Sequence, residues 1–201
     1  NIRRNYASSV AKGRMTQDAL DAMLKEKLTL SASYDALADC DLIIEAVFET
    51  MEVKKDVFAK IDAVAKPGAV LASNTSYLDI DEIAACTKRP EDVLGLHFFS
   101  PAHIMRLLEI VVGKKTAPEV VATGFQLARM MKKIGVRAGV CDGFIGNRIL
   151  GKYMTVANYM VEDGASPYLI DEAVREFGYP MGPFQMGDLA GLDIGYLNRR
   201  G

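Results

Sequence analysis

His97 and Glu109 lie in GLHFFSPAHIMRLLE, residues 95–109, each inside an otherwise apolar run. Residues 93–99 and 106–112 have the length and the aliphatic and aromatic content of buried strands. A buried imidazole and a buried carboxylate both need partners, because a polar group taken out of water unpaired is costly. The simplest arrangement makes each the other's partner, with Ser100 and Pro101 breaking the chain so that the second run lies against the first. An imidazole oriented by a carboxylate is a general base with its tautomer fixed. The alternative is a satisfied core histidine beside a surface glutamate.

The elements around this pair decide between those readings. Residues 1–27 are helical in pattern, with Thr16 as the N-cap of a second piece. Residues 41–47, DLIIEAV, form a short apolar run of the kind found in parallel strands buried on both faces. An amphipathic helix over 50–66 stops at Pro67 and Gly68, and residues 69–74 make the next strand. A short helix over 79–87 leads to the strand that carries His97. A further helix at 118–133 and a strand at 135–141 continue the alternation. Alternating strand and helix define an α/β fold with a parallel, Rossmann-type sheet. After Asp142 the alternation stops, and helices over 143–161, 166–177 and 184–198 predict a small all-α domain. The expected division is 1–141 and 142–201.

Ligands of such sheets bind beyond the carboxyl ends of the strands. Glu45, Ala46 and Glu49 follow the first strand, Asn74 and Ser76 end the second, and His97 ends the third. Three consecutive strand ends with small or polar groups predict one crevice lined by several loops. For SNTS, residues 73–76, the plain alternative is a polar turn capping a helix. Asn147 sits in the first turns of the helix that opens the all-α segment, where its amide is placed to reach back into that crevice. The Met positions of these helices read as core filler.

Composition narrows the classes. The chain has 201 residues, half of them hydrophobic, and a net charge of −2 with no stripe of lysine or arginine. That excludes an electrostatic footprint for nucleic acid or an anionic membrane surface. No apolar run approaches the roughly 20 residues of a membrane span. Three widely spaced cysteines, Cys40, Cys86 and Cys141, argue for a reducing compartment and against a disulfide framework or a zinc site.

Five stretches together, DLIIEAVFE (41–49), LASNTSYLDI (71–80), GLHFFSPAHIMRLLEIV (95–111), DGFIGNRIL (142–150) and GYPMGPFQMGDLAGLD (178–193), resemble the L-3-hydroxyacyl-CoA dehydrogenase family. The wording is most similar to the dehydrogenase part of multifunctional β-oxidation enzymes. The resemblance implies oxidation of (S)-3-hydroxyacyl-CoA to 3-oxoacyl-CoA with NAD. It makes His97 the base, Glu109 its orienting partner, and Ser76 and Asn147 contacts to the substrate. It places Ala46, Glu49, Lys54 and Asn74 at the cofactor. It also implies a hydratase/isomerase domain in the same polypeptide, a homo-oligomer formed through the helical domain, and a bacterial cytoplasmic location, with the peroxisome as the alternative.

The family opens with a strand and a G-x-G-x-x-G turn that cradles the dinucleotide pyrophosphate. No G-x-G occurs in this sequence. The chain is therefore expected to be an internal segment of a longer polypeptide and to bind NAD weakly by itself. Two other functions compete: a non-catalytic assembly module, and a β-hydroxyacid dehydrogenase acting on a free acid. An assembly module has no use for four polar groups converging on one crevice. A free-acid dehydrogenase of that subgroup usually employs a lysine base.

Overall fold

A computed structural model describes residues 2–190. Two helices, α1 (Ile2–Ala11) and α2 (Gln17–Lys27), pack on each other; the Thr16 hydroxyl caps α2 by accepting from the Ala19 amide, as its position predicts. The sheet is built from β1 (Leu42–Glu45), β2 (Val70–Ser73), β3 (Val93–Phe98), β4 (Leu107–Val112) and β5 (Ile134–Gly139), side by side in chain order. Between the strands run α3 (Met51–Val64), α4 (Ile80–Ala84) and α5 (Pro118–Met130). Three helices then follow: α6 (Gly146–Glu162), α7 (Pro167–Phe177) and α8 (Pro183–Ala190). The expected helix over 184–198 thus begins as α8, and its remainder lies outside the described residues.

One pairing departs from the parallel sheet that alternation predicts: β3 and β4 are antiparallel, whereas β1–β2, β2–β3 and β4–β5 are parallel. The physical reason is the connection. A parallel return needs a crossover of about a dozen residues or more, usually a helix, and residues 99–106 are too few and form none. Reversal also sets the register, in which His97 stands directly opposite Glu109. Directly opposed residues of an antiparallel pair share a face, so the two side chains meet.

Both faces of the central strands are covered, which explains why β2, β3 and β4 lack polar alternation. One face packs Ile43, Leu71, Val93 and Val111 against Phe58 and Ile61 of α3 and Ile80 and Ile83 of α4. The other packs Val70, Ala72, Leu94, Leu96, Leu108 and Ile110 against Val120 and Ala128 of α5. In β3 the odd positions Val93, Gly95 and His97 look toward α4, so His97 ends a stripe of the first face. Gly95 keeps β4 and α4 close there: a β-carbon at this position would lie 2.7 Å from Val111 Cβ and 3.1 Å from Ile80 Cδ1. We expect Gly95→Ala to lower stability by about 1–3 kcal/mol through overpacking. Thermal unfolding measures this, and an unchanged Tm would mean the strands part without cost.

Candidate active site

The pair anticipated from the sequence is formed. His97 Nδ1 lies 2.6 Å from Glu109 Oε2, and the two residues are 3 % and 0 % exposed. The other carboxylate oxygen, Oε1, accepts the backbone amides of Ile145 at 3.0 Å and Gly146 at 2.8 Å, at the start of α6. An anion at a helix N-terminus satisfies amides that have no partner within the helix and sits at the positive end of the helix dipole. Hydrogen bonds to a charged acceptor contribute about 1.5–3 kcal/mol each. Glu109 thus joins the sheet to the helical segment and orients the imidazole in one act.

The turn leading into α6 is shaped for this. Gly143 and Phe144 both have positive φ, +67° and 47°. A β-carbon at Gly143 would lie 2.8 Å from the Arg148 amide nitrogen, so the turn needs glycine there. Phe144, a non-glycine residue held in the left-handed region, is the kind of local strain that surrounding structure must impose. Its ring is buried 5.7 Å from the His97 ring, and Phe99 lies 4.5 Å away on centroids. Two aromatic walls and one carboxylate leave the imidazole a single orientation. A carboxylate only accepts, so Nδ1 carries the proton and donates it to Glu109. Among the described residues Nε2 has no hydrogen-bond partner and is not sealed from solvent, so it is the ring nitrogen left available.

The ends of β1 and β2 bring in the remaining candidates. Asn74 accepts the Phe98 amide on Oδ1 at 2.9 Å, tying the end of β2 to the end of β3. Ser76 is held by its backbone: its amide donates to Glu49 Oε1 at 2.6 Å, and its carbonyl accepts from Asn147 Nδ2 at 3.5 Å. Ala46 is exposed immediately after β1. The Glu49 side chain is 39 % exposed, and its Oε2 lies 3.3 Å from Lys54 Nζ. Burial pushes the Glu49 carboxyl up, but the Thr75 hydroxyl, the Ser76 amide and the Lys54 ammonium outweigh it and hold its pKa below the usual value.

Lys54, which the resemblance places at the cofactor, is buried beside Glu49. Its side chain is 1 % exposed, and its ammonium donates to Glu45 Oε1 and Oε2 at 2.8 and 3.1 Å. Glu45, Ser73 and Thr75 are the polar residues that sequence reasoning did not single out for this network. Ser73 donates its hydroxyl to Glu45 Oε2 at 2.6 Å, and the Thr75 hydroxyl donates to Glu49 Oε1. The available signal was a lysine nine residues after a glutamate that ends an apolar strand.

Fold and site together describe an α/β protein with a carboxylate-oriented imidazole at the carboxyl ends of a Rossmann-type sheet. Comparison with known proteins agrees. Residues 1–141 match the model of the 3-hydroxyacyl-CoA dehydrogenase NAD binding domain, and residues 143–200 match the 3-hydroxyacyl-CoA dehydrogenase C-terminal domain. The chain belongs to the 3-hydroxyacyl-CoA dehydrogenase family. Similar curated proteins include the peroxisomal bifunctional enzyme of Cavia porcellus, 51 % identical over 87 % of this chain and 24 % of the relative. The peroxisomal fatty acid beta-oxidation multifunctional protein MFP2 of Arabidopsis thaliana is 40 % identical over 96 % of this chain and 26 % of its own length. The chain thus spans about a quarter of the length of these relatives. Among solved structures, the 3-hydroxybutyryl-CoA dehydrogenase of Escherichia coli K12 superposes with a TM-score of 0.89 at 42 % identity, over 96 % of this chain and 41 % of that one. Mycobacterium tuberculosis FadB2 does so with a TM-score of 0.90 at 39 % identity, over 96 % of this chain and 68 % of that one.

Proposed function

We propose that this chain carries the chemistry of an NAD-dependent (S)-3-hydroxyacyl-CoA dehydrogenase, with His97 as the base. The observation that carries the reading is the His97–Glu109 pair: Nδ1 is committed to a buried carboxylate, which leaves Nε2 as the nitrogen available to a ligand. In this reading Nε2 takes the proton of the substrate 3-hydroxyl. Glu109 fixes the tautomer and stabilises the imidazolium that results. The Ser76 hydroxyl and the Asn147 amide, brought together where Asn147 reaches the Ser76 carbonyl, bind the substrate oxygens.

The ends of β1 and β2 suit the nicotinamide half of a dinucleotide. Ala46 is small enough to let a ligand approach the backbone. Glu49 presents a half-buried carboxylate that accepts hydrogen bonds from ribose hydroxyls. Asn74 shapes the same strand end from beside β3. Lys54, paired with Glu49, stands on the same cofactor side. When bound, NAD supplies the acceptor for the hydride that leaves the substrate C3. In this reading residues 1–141 serve the cofactor, and residues 142–201 close over the substrate.

The helical segment exposes Ile149, Val156, Tyr159, Leu169 and Phe177, an apolar surface suited to another subunit or a neighbouring segment of the same polypeptide. The names of the relatives favour a multifunctional β-oxidation enzyme, in which a hydratase/isomerase domain accompanies this one. They also favour the peroxisome over the bacterial cytoplasm.

The test is NADH formation by the whole polypeptide that contains this chain, assayed with (S)- and (R)-3-hydroxybutyryl-CoA. Turnover of the S isomer alone is expected. Activity toward free 3-hydroxy acids and none toward the thioesters would transfer the protein to a different substrate class.

A further inference from the structure

The connection between β3 and β4 carries Phe99, one wall of the imidazole, yet residues 100–106 are all exposed. Ile104 and Met105 are 65 % and 41 % exposed, so burial of apolar side chains does not fix the segment. Its internal bonds close a turn without attaching it: the Ile104 and Met105 amides both donate to the Pro101 carbonyl, at 2.9 and 3.0 Å. Attachment comes from the residues at the start of β5. The Ile134 amide donates to the Arg106 carbonyl at 2.8 Å, and Lys133 Nζ donates to the Ala102 and Met105 carbonyls, each at 2.6 Å. The same ammonium lies 5.6 Å from the centre of the Phe98 ring, within reach of a cation–π contact. One cation thus ties the exposed turn to the strand end that carries His97.

The backbone is bent to deliver it. α5 ends in a turn in which the Lys133 amide donates to the Ala128 carbonyl at 2.8 Å and the Lys132 amide to the Arg129 carbonyl at 3.0 Å. The left-handed position of such a turn usually holds glycine, and here it is Lys132, with φ 56°. A side chain in that region is imposed by the surrounding structure. The acceptors of Lys133 are carbonyls rather than carboxylates, so what it contributes is geometry: charge-assisted bonds are short and strong, whereas water would satisfy two exposed carbonyls without fixing them. Phe99 has little slack on its other side, since a β-carbon at Gly146 would lie 2.6 Å from its Cζ.

We propose that Lys133 is a positioning residue for the reaction: by clamping the Ala102 and Met105 carbonyls it holds the 99–106 connection, and through it Phe99, against the His97 imidazole. The proposal rests on the dehydrogenase reading of the site.

Variants of the whole polypeptide test it. Lys133→Met keeps the stem and removes the ammonium, Lys133→Arg restores donors, and Lys132→Gln removes a neighbouring charge that holds neither carbonyl. Amide hydrogen exchange at Ile104 and Met105 reads the turn without reference to catalysis. In Lys133→Met these amides are expected to exchange about ten-fold faster or more, while β3 and β4 keep their protection. Turnover should fall about ten-fold, with KM for 3-hydroxyacyl-CoA within about three-fold of wild type, as for a misaligned base. Lys133→Arg should recover most of both losses, and Lys132→Gln should cause neither. Because Lys133 acts through Phe99, Lys133→Met/Phe99→Leu should turn over no more slowly than Phe99→Leu alone.

A loosened turn with unchanged kcat would overturn the proposal. So would additive losses in the double variant, or a raised KM at constant kcat, which would make Lys133 a substrate contact. Should Lys133→Met lose protection throughout β3, β4 and β5, Lys133→Gln, which keeps one amide group to donate, is judged by the same criteria. A wild-type protein inactive on 3-hydroxyacyl-CoA would overturn the dehydrogenase reading and this role with it, whereas an active wild type with an equally active Lys133→Met overturns the role alone.

Discussion

His97→Gln is expected to lower kcat by about 10²–10⁴-fold and to change KM little. Glutamine has similar length and keeps a polar tip near Glu109, so the two aromatic neighbours and the α6 amides retain their contacts. What disappears is the imidazole nitrogen left available by the Glu109 contact. A base acts chiefly in the transition state, so its loss appears in turnover rather than in ground-state binding. Steady-state kinetics with varied 3-hydroxyacyl-CoA at saturating NAD separates the two. An unchanged kcat would remove His97 from the chemistry, and a large rise in KM at constant kcat would recast it as a binding residue.

The largest effect on stability is expected for Lys54→Met, a loss of about 3–5 kcal/mol. Both side chains of the Lys54–Glu45 pair are 1 % exposed, so removing the ammonium strands a carboxylate in a place water does not reach. The Val47 amide and the Ser73 hydroxyl still bond Glu45 but bring no opposite charge. Glu45→Gln/Lys54→Met should recover much of the loss, because the uncompensated charge is gone, and the two substitutions should be far from additive. Urea denaturation of the single and double variants gives the comparison. A single variant within about 1 kcal/mol of wild type would show that Glu45 does not depend on the ammonium.

Much of this architecture is legible in the residues, and the exceptions have particular causes. Apolar runs bounded by Pro67, Gly68 and Pro101 mark strands that the structure contains. The His97–Glu109 contact follows because both residues interrupt oily strands and each needs a polar partner. The reversal of β4 is hidden from alternation, which records the order of elements but not their direction; only the shortness of the 99–106 connection reveals it. Burial of Lys54 is hidden for a different reason. On the pattern of α3 it stands among charged positions, and only the arrival of Glu45 and Glu49 from the β1 end makes the interior tolerable for it. Equally invisible are the Ile145 and Gly146 amides that complete the Glu109 site, because backbone donors carry no residue signature. Gly143 and Gly146 are the traces they leave: one adopts positive φ, and at the other a β-carbon would overlap the Phe99 ring. The role of Thr75 is masked by its neighbours, since SNTS reads as an ordinary capping turn.

The central claim is that Glu109 accepts a hydrogen bond from Nδ1–H and thereby leaves Nε2 unprotonated. Nitrogen-15 NMR of the histidine side chains, at a pH where the imidazole is neutral, reads this directly. The account predicts that His97 is the Nδ1–H tautomer, with Nε2 shifted as an unprotonated nitrogen, and that Glu109→Ala lets the tautomers mix. A wild-type His97 carrying its proton on Nε2 would contradict it, because a nitrogen that already holds a proton cannot accept one from the substrate hydroxyl.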